Sequence, residues 1–409
     1  MQRPEILQSV KAQRPGYTLN RNFYICDSVF EHEVSWLFPR NWLLIDHGSR
    51  IPDAGDYFTL NLFGDSVIVI RGRNGDIHAH YNLCRHRGSQ ICEHAEGNVN
   101  RLTCPYHAWT YDLDGTLRAA RLMPEGFVKS QHNLKSLHAR EHDGLIFLNT
   151  ASGTPPDFDG FIEPLRPFLQ IHGLENAKVA HRQLYPALAN WKLVIENFFE
   201  CYHCAPSHPE LTTVHSRAKL LALGAGPGSG PAEAMAEFQS ELDRWADKAR
   251  GMGHYVGAYN DEDPGSFRAA MRVPIRDGFL SETEDGTPAA TLMGDFKDFD
   301  GGQTTISFNP LGTLLMSNDF AVLFRFTPVT VDKTDMEILW LANAATVDAG
   351  DFDLEKLTWA WDVTTKQDKK IIEFNNAGVM SRQYEPGPYS RQEEVSKQLV
   401  EWYLRSISA

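Results

Sequence analysis

The chain has 409 residues, of which 42% are hydrophobic, enough to bury a large core in two or three domains. Its formal net charge of −14 argues against nucleic acid as a partner. No apolar run approaches the roughly 20 residues that span a membrane. Four of the six cysteines belong to motifs or their flanks, which leaves Cys26 and Cys92, too few and too scattered for a disulfide framework, so we expect a cytoplasmic protein.

The first predicted element is a short helix over residues 27–37, where apolar residues recur at helical spacing. Strand-like alternation begins near Trp42, and short strands at 58–62, 66–71 and 145–149 are separated by turns rich in Gly and Asp. The segment 150–156 reads as a boundary. We therefore predict an N-terminal helical segment over 1–40, an all-β domain over 41–152 and a second domain over 153–409, on which the N-terminal segment packs.

Two short motifs of the all-β domain each combine one cysteine with one histidine. They are Cys84-x-His86 and, after seventeen intervening residues, Cys104-x2-His107. In a Rieske cluster two Cys bind one iron and two His bind the other, and the neutral imidazoles raise the reduction potential. A structural zinc site is the alternative, although zinc fingers usually pair Cys with Cys and His with His along the chain. The motifs therefore predict a Rieske-type [2Fe-2S] cluster held by these four residues.

The same two stretches, Cys84 to Gly88 and Cys104 to Trp109, resemble the cluster loops of Rieske non-haem iron oxygenases. Many members of that family have Gly where this chain has Ala108, a small change that should leave cluster binding intact. The resemblance implies an α+β fold, in which an all-β Rieske domain precedes a helix-grip (START-like) catalytic domain built on an antiparallel sheet.

A second group of metal-binding residue types follows at His203 and His208. A helix is predicted from Trp191 to Cys204, with Asn190 as its N-cap and Pro206 ending it. Two His and one carboxylate form the facial triad of non-haem Fe(II) oxygenases. Taken alone, these could be ordinary histidines at a helix end. Beside a cluster motif, a mononuclear iron site is the better interpretation.

The carboxylate ligand is predicted in a late helix over 354–379. Five residues repeat there at helical spacing: Trp361, Thr365, Asp368, Ile372 and Asn375. An acid on a core-facing stripe is costly unless a cation pairs with it. We therefore expect Asp368 to be the third ligand, with Asp362, one position off the stripe, as the alternative. Family members take their carboxylate from a similarly placed late helix.

Glu200 lies three residues before the first histidine, on the same face of the predicted helix. Its position resembles the bridging carboxylate of the family, which links a cluster histidine of one subunit to an iron histidine of the neighbour. The resemblance gives Glu200 the role of electron bridge between His86 or His107 and His203. An acid on the helix surface is the alternative.

The motif around Glu200, from Glu196 to Cys204, resembles the branch that oxidises quaternary ammonium compounds: glycine betaine and stachydrine demethylases and carnitine monooxygenase. A second stretch shared with that branch runs from Tyr384 to Ser390. Cys201 and Cys204 form a C-x2-C that could be a redox pair or another metal site. We expect instead two ordinary, buried or half-buried cysteines.

Residues 216–302 interrupt the pattern with a Gly-rich run, Gly224 to Gly230, and a helix-like stretch from Ala232 to Arg250. This segment is expected to be an insertion, which either covers the pocket as a lid or is simply exposed to solvent. Strands follow near 304–317, 320–327 and 336–345.

The resemblance implies a monooxygenase that uses O2 at the mononuclear iron and N-demethylates a betaine-like substrate, with C-hydroxylation left open. Oxygenation of an aromatic ring is the alternative, and a non-catalytic redox carrier is the alternative of another class. No stretch resembles a nicotinamide or flavin fingerprint, so a separate flavin and iron-sulfur reductase should supply electrons from NAD(P)H. The family also implies a homotrimer with head-to-tail contacts.

Overall fold

The computed structural model describes residues 2–223, 230–263 and 265–409. Its strands form two seven-stranded sheets and one three-stranded sheet, and their pairings are antiparallel. The predicted Gly-rich run lies outside the described residues except for Gly230. In the part of the chain that the structure describes, no helix is both long enough and apolar enough to cross a membrane.

Short helices precede the first strand. They are α1 (Arg3–Lys11), α2 (Asn22–Ile25) and α3 (Asp27–His32), and α3 continues as a π-helical turn over Glu33–Leu37. The helix predicted over 27–37 is therefore confirmed.

Ten strands build the predicted all-β domain. Seven of them form one sheet in the order β1-β10-β9-β4-β3-β2-β5, and β6, β7 and β8 form the small sheet. Their bounds are β1 (Leu43–His47), β2 (Asp56–Leu62), β3 (Asp65–Arg71), β4 (Ile77–Tyr81), β5 (Glu96–Asn98), β6 (Leu102–Thr103), β7 (Thr110–Tyr111), β8 (Leu117–Ala119), β9 (Ser136–His142) and β10 (Leu145–Asn149). The three strands predicted here are confirmed.

The middle of β3 is buried on both faces, which explains its uninterrupted apolar run. Val67 and Val69 belong to the large core shared with the second domain, whereas Ile68 and Ile70 belong to the core under the two cysteine motifs. This strand therefore supports the cluster loops on one side and the second domain on the other.

The second domain is built on the other seven-stranded sheet, in the order β11-β17-β16-β15-β14-β13-β12. Short helices α4 (Phe158–Ile162) and α5 (Arg166–Gln170) lead into it. The strand bounds are β11 (Ala177–Ala187), β12 (Ala258–Asn260), β13 (Ala269–Pro274), β14 (Gly302–Asn309), β15 (Gly312–Met316), β16 (Phe320–Thr330) and β17 (Lys333–Asn343). The stretch predicted as one strand over 304–317 is thus a hairpin of β14 and β15.

The expected insertion over 216–302 is only partly separate from the sheet. Helices α9 (Arg217–Leu223) and α10 (Ala232–Gly251) lie there, and α10 matches the predicted helical stretch. However, β13 pairs with β14 over its whole length, and β12 pairs with β13. The end of this segment is therefore part of the domain's sheet.

The remaining helices are α6 (Trp191–Phe198), α7 (Cys204–Ser207), α8 (Leu211–Val214), α11 (Ala344–Ala349), α12 (Leu354–Met380) and α13 (Glu394–Ser408). Asn190 caps α6 by accepting the Lys192 N–H, as predicted. The late helix α12 is confirmed, although Asn375 on its expected inward stripe is exposed.

The helix predicted from Trp191 to Cys204 is wrong beyond Phe198. After that residue the Glu200 carboxylate accepts the backbone N–H groups of Tyr202 and His203. A side chain that satisfies these donors competes with continuation of a helix. Pro206 also lies inside the short helix α7, in its first turn, where a missing N–H carries no penalty.

Two carboxylates, the buried Glu33 and the half-buried Glu196, attach flanking parts of the chain to α6. Glu33 accepts the Lys192 ammonium at 2.6 Å. Glu196 accepts the hydroxyl of Tyr24 at 2.8 Å and that of Tyr389 at 2.7 Å. The second stretch that the sequence singled out, 384–390, is thus joined directly to the first, 196–204.

Candidate functional site: a cluster site and a two-histidine, one-carboxylate site

The two cluster loops have the same backbone geometry. The Gly88 N–H donates to the Cys84 carbonyl, and the Ala108 N–H donates to the Cys104 carbonyl, each at 3.0 Å. Both closing residues have left-handed backbones, with φ of 79° at Gly88 and 57° at Ala108. An alanine there costs roughly 1–2 kcal/mol relative to a relaxed backbone. This cost is the physical reason that glycine suits the position, and Ala108 adopts the same turn.

The two cluster loops bury their cysteine side chains and expose their histidine side chains. Cys84 and Cys104 are 3% and 2% exposed, whereas His86 and His107 are exposed, with ring centroids 4.7 Å apart. Such an arrangement fits a cluster whose thiolate-bound iron is inside and whose imidazole-bound iron is near the surface. Nothing in the sequence pattern singled out Tyr111, whose hydroxyl lies 3.4 Å from the Cys84 sulfur.

Three further predicted ligands converge in the second domain. One ligand atom from each of His203, His208 and Asp368 lies within 4.8 Å of the other two. The Asp368 Oδ1 atom is 2.8 Å from His208 Nε2 and 3.2 Å from His203 Nε2. His208 is completely buried, and its Nε2 has no hydrogen-bond partner of acceptable geometry among the described residues. A buried, unpartnered nitrogen directed at a carboxylate fits a metal ligand.

The other nitrogen of each imidazole is already held. His203 Nδ1 donates to Glu200 Oε1 at 2.5 Å, and His208 Nδ1 donates to Gln367 Oε1 at 2.8 Å. Gln367 in turn donates its Nε2 hydrogen to Glu210 at 2.9 Å, which fixes the direction of its amide. Because both Nδ1 atoms are occupied, the two Nε2 atoms are the ones that face the space between the ligands, where a metal could bind them. Gln367 and Glu210 were not predicted, and the position of Gln367 next to Asp368 was the only signal.

The charges at this site favour a cation. Burial lowers the pKa of His203, but hydrogen bonds to Asp368 and Glu200 outweigh it and raise this pKa to about 9. Burial raises the pKa of Asp368, but the hydrogen bond from His203 and the proximity of both imidazoles outweigh it and lower this pKa. Without a metal, the carboxylates are therefore balanced by a proton on imidazole, which a divalent cation would displace.

The structure also locates the alternatives. Asp362 accepts the Tyr185 hydroxyl at 2.6 Å and pairs with Lys366 at 2.7 Å, away from the two histidines. Glu200 lies beside His203 as predicted. Within the described residues of this single chain, no hydrogen bond joins Glu200 to a cluster histidine.

Cys201 and Cys204 are joined in a disulfide, so the expectation of two ordinary cysteines is wrong. Their Cα atoms are 4.8 Å apart, a spacing that a disulfide permits. The bridge closes the turn that carries His203 and follows Glu200 directly.

Comparisons with known proteins cover both domains. Residues 41–137 match the family model of the Rieske [2Fe-2S] domain, and residues 174–409 match that of the ring hydroxylating alpha subunit (catalytic domain). The chain is 34% identical to the glycine betaine monooxygenase oxygenase subunit of Pseudomonas aeruginosa, covering 96% of this chain and 90% of that protein. It is 36% identical to the subunit of the same name from Chromohalobacter salexigens, covering 96% and 86%. A solved quaternary ammonium Rieske monooxygenase superposes with a TM-score of 0.70 at 22% identity, covers 95% of both chains, and supports the fold.

The two matched domains imply a Rieske [2Fe-2S] cluster and a mononuclear non-haem iron, and the relatives' designation as oxygenase subunits implies a separate reductase. The predicted α+β fold, with an all-β domain followed by a catalytic domain on an antiparallel sheet, is confirmed. The chain therefore belongs to the Rieske non-haem iron oxygenases, as the α subunit that carries both iron centres and acts on a small molecule with O2.

Proposed function

We propose that this chain is the oxygenase subunit of a monooxygenase that N-demethylates a quaternary ammonium compound of the betaine type. The observation that carries this proposal is the 34–36% identity, over 96% of the chain, to subunits that act as glycine betaine monooxygenases. The similarity covers both iron-binding regions and the segments between them.

The proposed ligands are those described above. The cluster is assigned to Cys84, His86, Cys104 and His107, and the mononuclear Fe(II) to His203, His208 and Asp368. When bound, the cluster supplies single electrons and the mononuclear iron supplies open positions for O2. The side chains around them have separate tasks: Gln367 and Glu200 hold the imidazole tautomers, and the closed turn at 201–204 keeps His203 in place.

Glu200 is proposed as the bridge for electrons, because its carboxylate already accepts the Nδ1 hydrogen of His203. Both cluster histidines are exposed and are therefore accessible to a neighbouring copy. These features support a head-to-tail homotrimer in which the cluster of one subunit faces Glu200 of the next. The domain boundaries are proposed as 1–40, 41–152 and 153–409, since irregular chain between β10 and α4 separates the two sheets.

The proposed reaction is balanced as follows. One quaternary ammonium ion, O2, two electrons and two protons give the tertiary amine, formaldehyde, water and one proton. Hydroxylation of an N-methyl carbon forms a hemiaminal, and the C–N bond then breaks with its electron pair remaining on nitrogen. The protein's contribution is to bind and orient the substrate and to exclude water.

The test is a formaldehyde assay on iron-loaded protein with NADH and a competent Rieske reductase. Glycine betaine, carnitine, stachydrine and choline are compared with a benzoate control, and Asp368→Asn protein with an intact cluster serves as the matched blank. Formaldehyde from a betaine supports the proposal. Carnitine-dependent use of NADH and O2 without formaldehyde would indicate C-hydroxylation, and a response to benzoate alone would indicate aromatic oxygenation; either result contradicts N-demethylation.

A further inference from the structure

Four buried polar side chains form a group that the iron site does not use. This distal cluster consists of His215, Lys219, Glu282 and Gln303, each 5% exposed or less. Lys219 Nζ donates to Gln303 Oε1 at 2.9 Å and to His215 Nδ1 at 3.2 Å. His215 Nε2 and Gln303 Nε2 both donate to Glu282 Oε1, at 2.9 and 2.6 Å. The group therefore joins the start of α9, the loop before β14 and the first residues of β14.

Helix α12 contacts both the distal cluster and the iron site. The Trp361 indole N–H donates to Glu282 Oε2 at 3.4 Å. Trp361 precedes Asp368 by seven residues, so the two lie on one face of α12, two turns or roughly 10 Å apart. His215 likewise follows the ligand His208 by seven residues. The distal cluster therefore lies at one end of this two-turn stretch of α12, and the three metal-ligand side chains lie at the other end.

The side chains near this stretch are aromatic. The Phe324 ring lies 5.2 Å from the Trp361 ring and 5.2 Å from that of Phe198. Aromatic faces attract a quaternary ammonium ion without hydrogen bonding to it. The stretch thus has a metal-ligand set at one end, aromatic rings along it and a buried ammonium group at the other end.

Burying the distal cluster costs folding free energy, and a purely structural role would not explain that cost. Removing a lysine, a glutamate and a histidine from water carries a desolvation penalty that their mutual attraction repays only in part. An ammonium group has three donors, and two acceptors lie within hydrogen-bonding distance of Lys219 Nζ in the described parts of the chain. Burial lowers the pKa of Lys219 to about 8, so this lysine remains mostly charged at neutral pH.

We propose that Lys219 binds the carboxylate of the substrate and that Gln303 and His215 position its ammonium group for this contact. A short betaine would then lie along α12, with its carboxylate at Lys219 and an N-methyl group toward the iron site. This inference rests on the proposed function and extends it to substrate choice: a quaternary ammonium compound with a carboxylate is accepted, and choline, which lacks one, is discriminated against.

The experiment measures binding separately from turnover. Equilibrium dialysis of iron-loaded protein with radiolabelled glycine betaine and with choline compares the unsubstituted protein, Lys219→Met and Lys192→Met. The last variant removes the other buried lysine among the described residues, which pairs with Glu33. A charge-assisted contact contributes about 1.5–3 kcal/mol, so Lys219→Met should raise the Kd for glycine betaine roughly ten- to hundredfold. The Kd for choline should stay the same, and Lys192→Met should leave the ratio of the two Kd values unchanged.

An unchanged ratio of the two Kd values in folded Lys219→Met protein would overturn the inference, as would the absence of glycine betaine binding to the unsubstituted protein. If Lys219→Met does not fold, the nearly isosteric Gln303→Met decides. It should raise the Kd and KM for glycine betaine without lowering kcat, and an unchanged Kd would refute its positioning role. Binding of betaine without formaldehyde release would contradict the proposed N-demethylation and leave the carboxylate site standing.

Discussion

Gln367 offers a direct test of how the iron ligands are held. Its Oε1 atom accepts the His208 Nδ1 hydrogen at 2.8 Å, so Gln367→Leu removes the group that fixes this imidazole's tautomer and ring orientation. Loss of such a partner typically weakens metal binding 10- to 100-fold, or about 1.4–2.7 kcal/mol. We expect this loss in anaerobic Fe(II) titrations of protein whose mononuclear site has been emptied and whose cluster is intact by EPR.

The neighbouring Lys366→Met is the matched control, because Lys366 is 62% exposed and pairs with Asp362 outside the iron site. Glu210 accepts the Gln367 amide hydrogen at 2.9 Å and so fixes the direction of the amide that holds His208. Glu210→Ala should therefore weaken Fe(II) binding by itself, and it should add nothing in the Gln367→Leu background. Equal Fe(II) affinity in Gln367→Leu and in the unsubstituted protein would refute the reasoning, as would additive losses in the double variant.

EPR and iron analysis should show that the Glu200→Gln variant keeps both iron centres. Its cluster should be reoxidised at least tenfold more slowly in a single turnover. An unaltered reoxidation rate would exclude Glu200 as the electron bridge. Burial raises the pKa of Glu196 from 4.5 to about 7. The folded state then holds this proton more tightly than the unfolded state, so stability falls by roughly 3 kcal/mol as pH rises from 4.5 to 7. Glu196→Gln should abolish that part of the decline in urea unfolding at pH 5 and pH 8, and an identical decline would contradict the assignment. Reduction of the Cys201–Cys204 disulfide should lower Fe(II) affinity by up to about tenfold, because His203 lies inside the closed turn. Protein with both cysteines replaced by Ser should no longer respond to reductant, whereas a persisting response would place the effect elsewhere.

The proposed ligand residues stand out in the sequence because their chemistry is local. Cys84 and His86 fall in one turn, and an acid on the apolar stripe of α12 signals a buried cation wherever the helix packs. The end of α6 could not be predicted in this way. Helical spacing continues through Glu200, and only the folded turn shows its carboxylate accepting the N–H groups that a longer helix would have used.

Residues whose hydrogen-bond partners lie far away in the sequence also escaped prediction. Gln367 and Lys219 sit in sequence contexts typical of ordinary helices, and their partners His208 and Gln303 are 159 and 84 residues away. Strand β11 was missed for a different reason. It is an edge strand with few buried positions and contains Pro186, so it lacks the apolar alternation that marked the other strands.

The two tyrosines that donate to Glu196 are synthesised at different times, one before and one long after α6. Helix α6 is synthesised with Tyr24 already available, but Tyr389 follows 193 residues later. At about 5–20 residues per second, translation needs roughly 10–40 s to supply it. Until then the Glu196 carboxylate lacks one of its two tyrosine donors. The attachment of the 384–390 segment to α6 is therefore completed only near the end of synthesis.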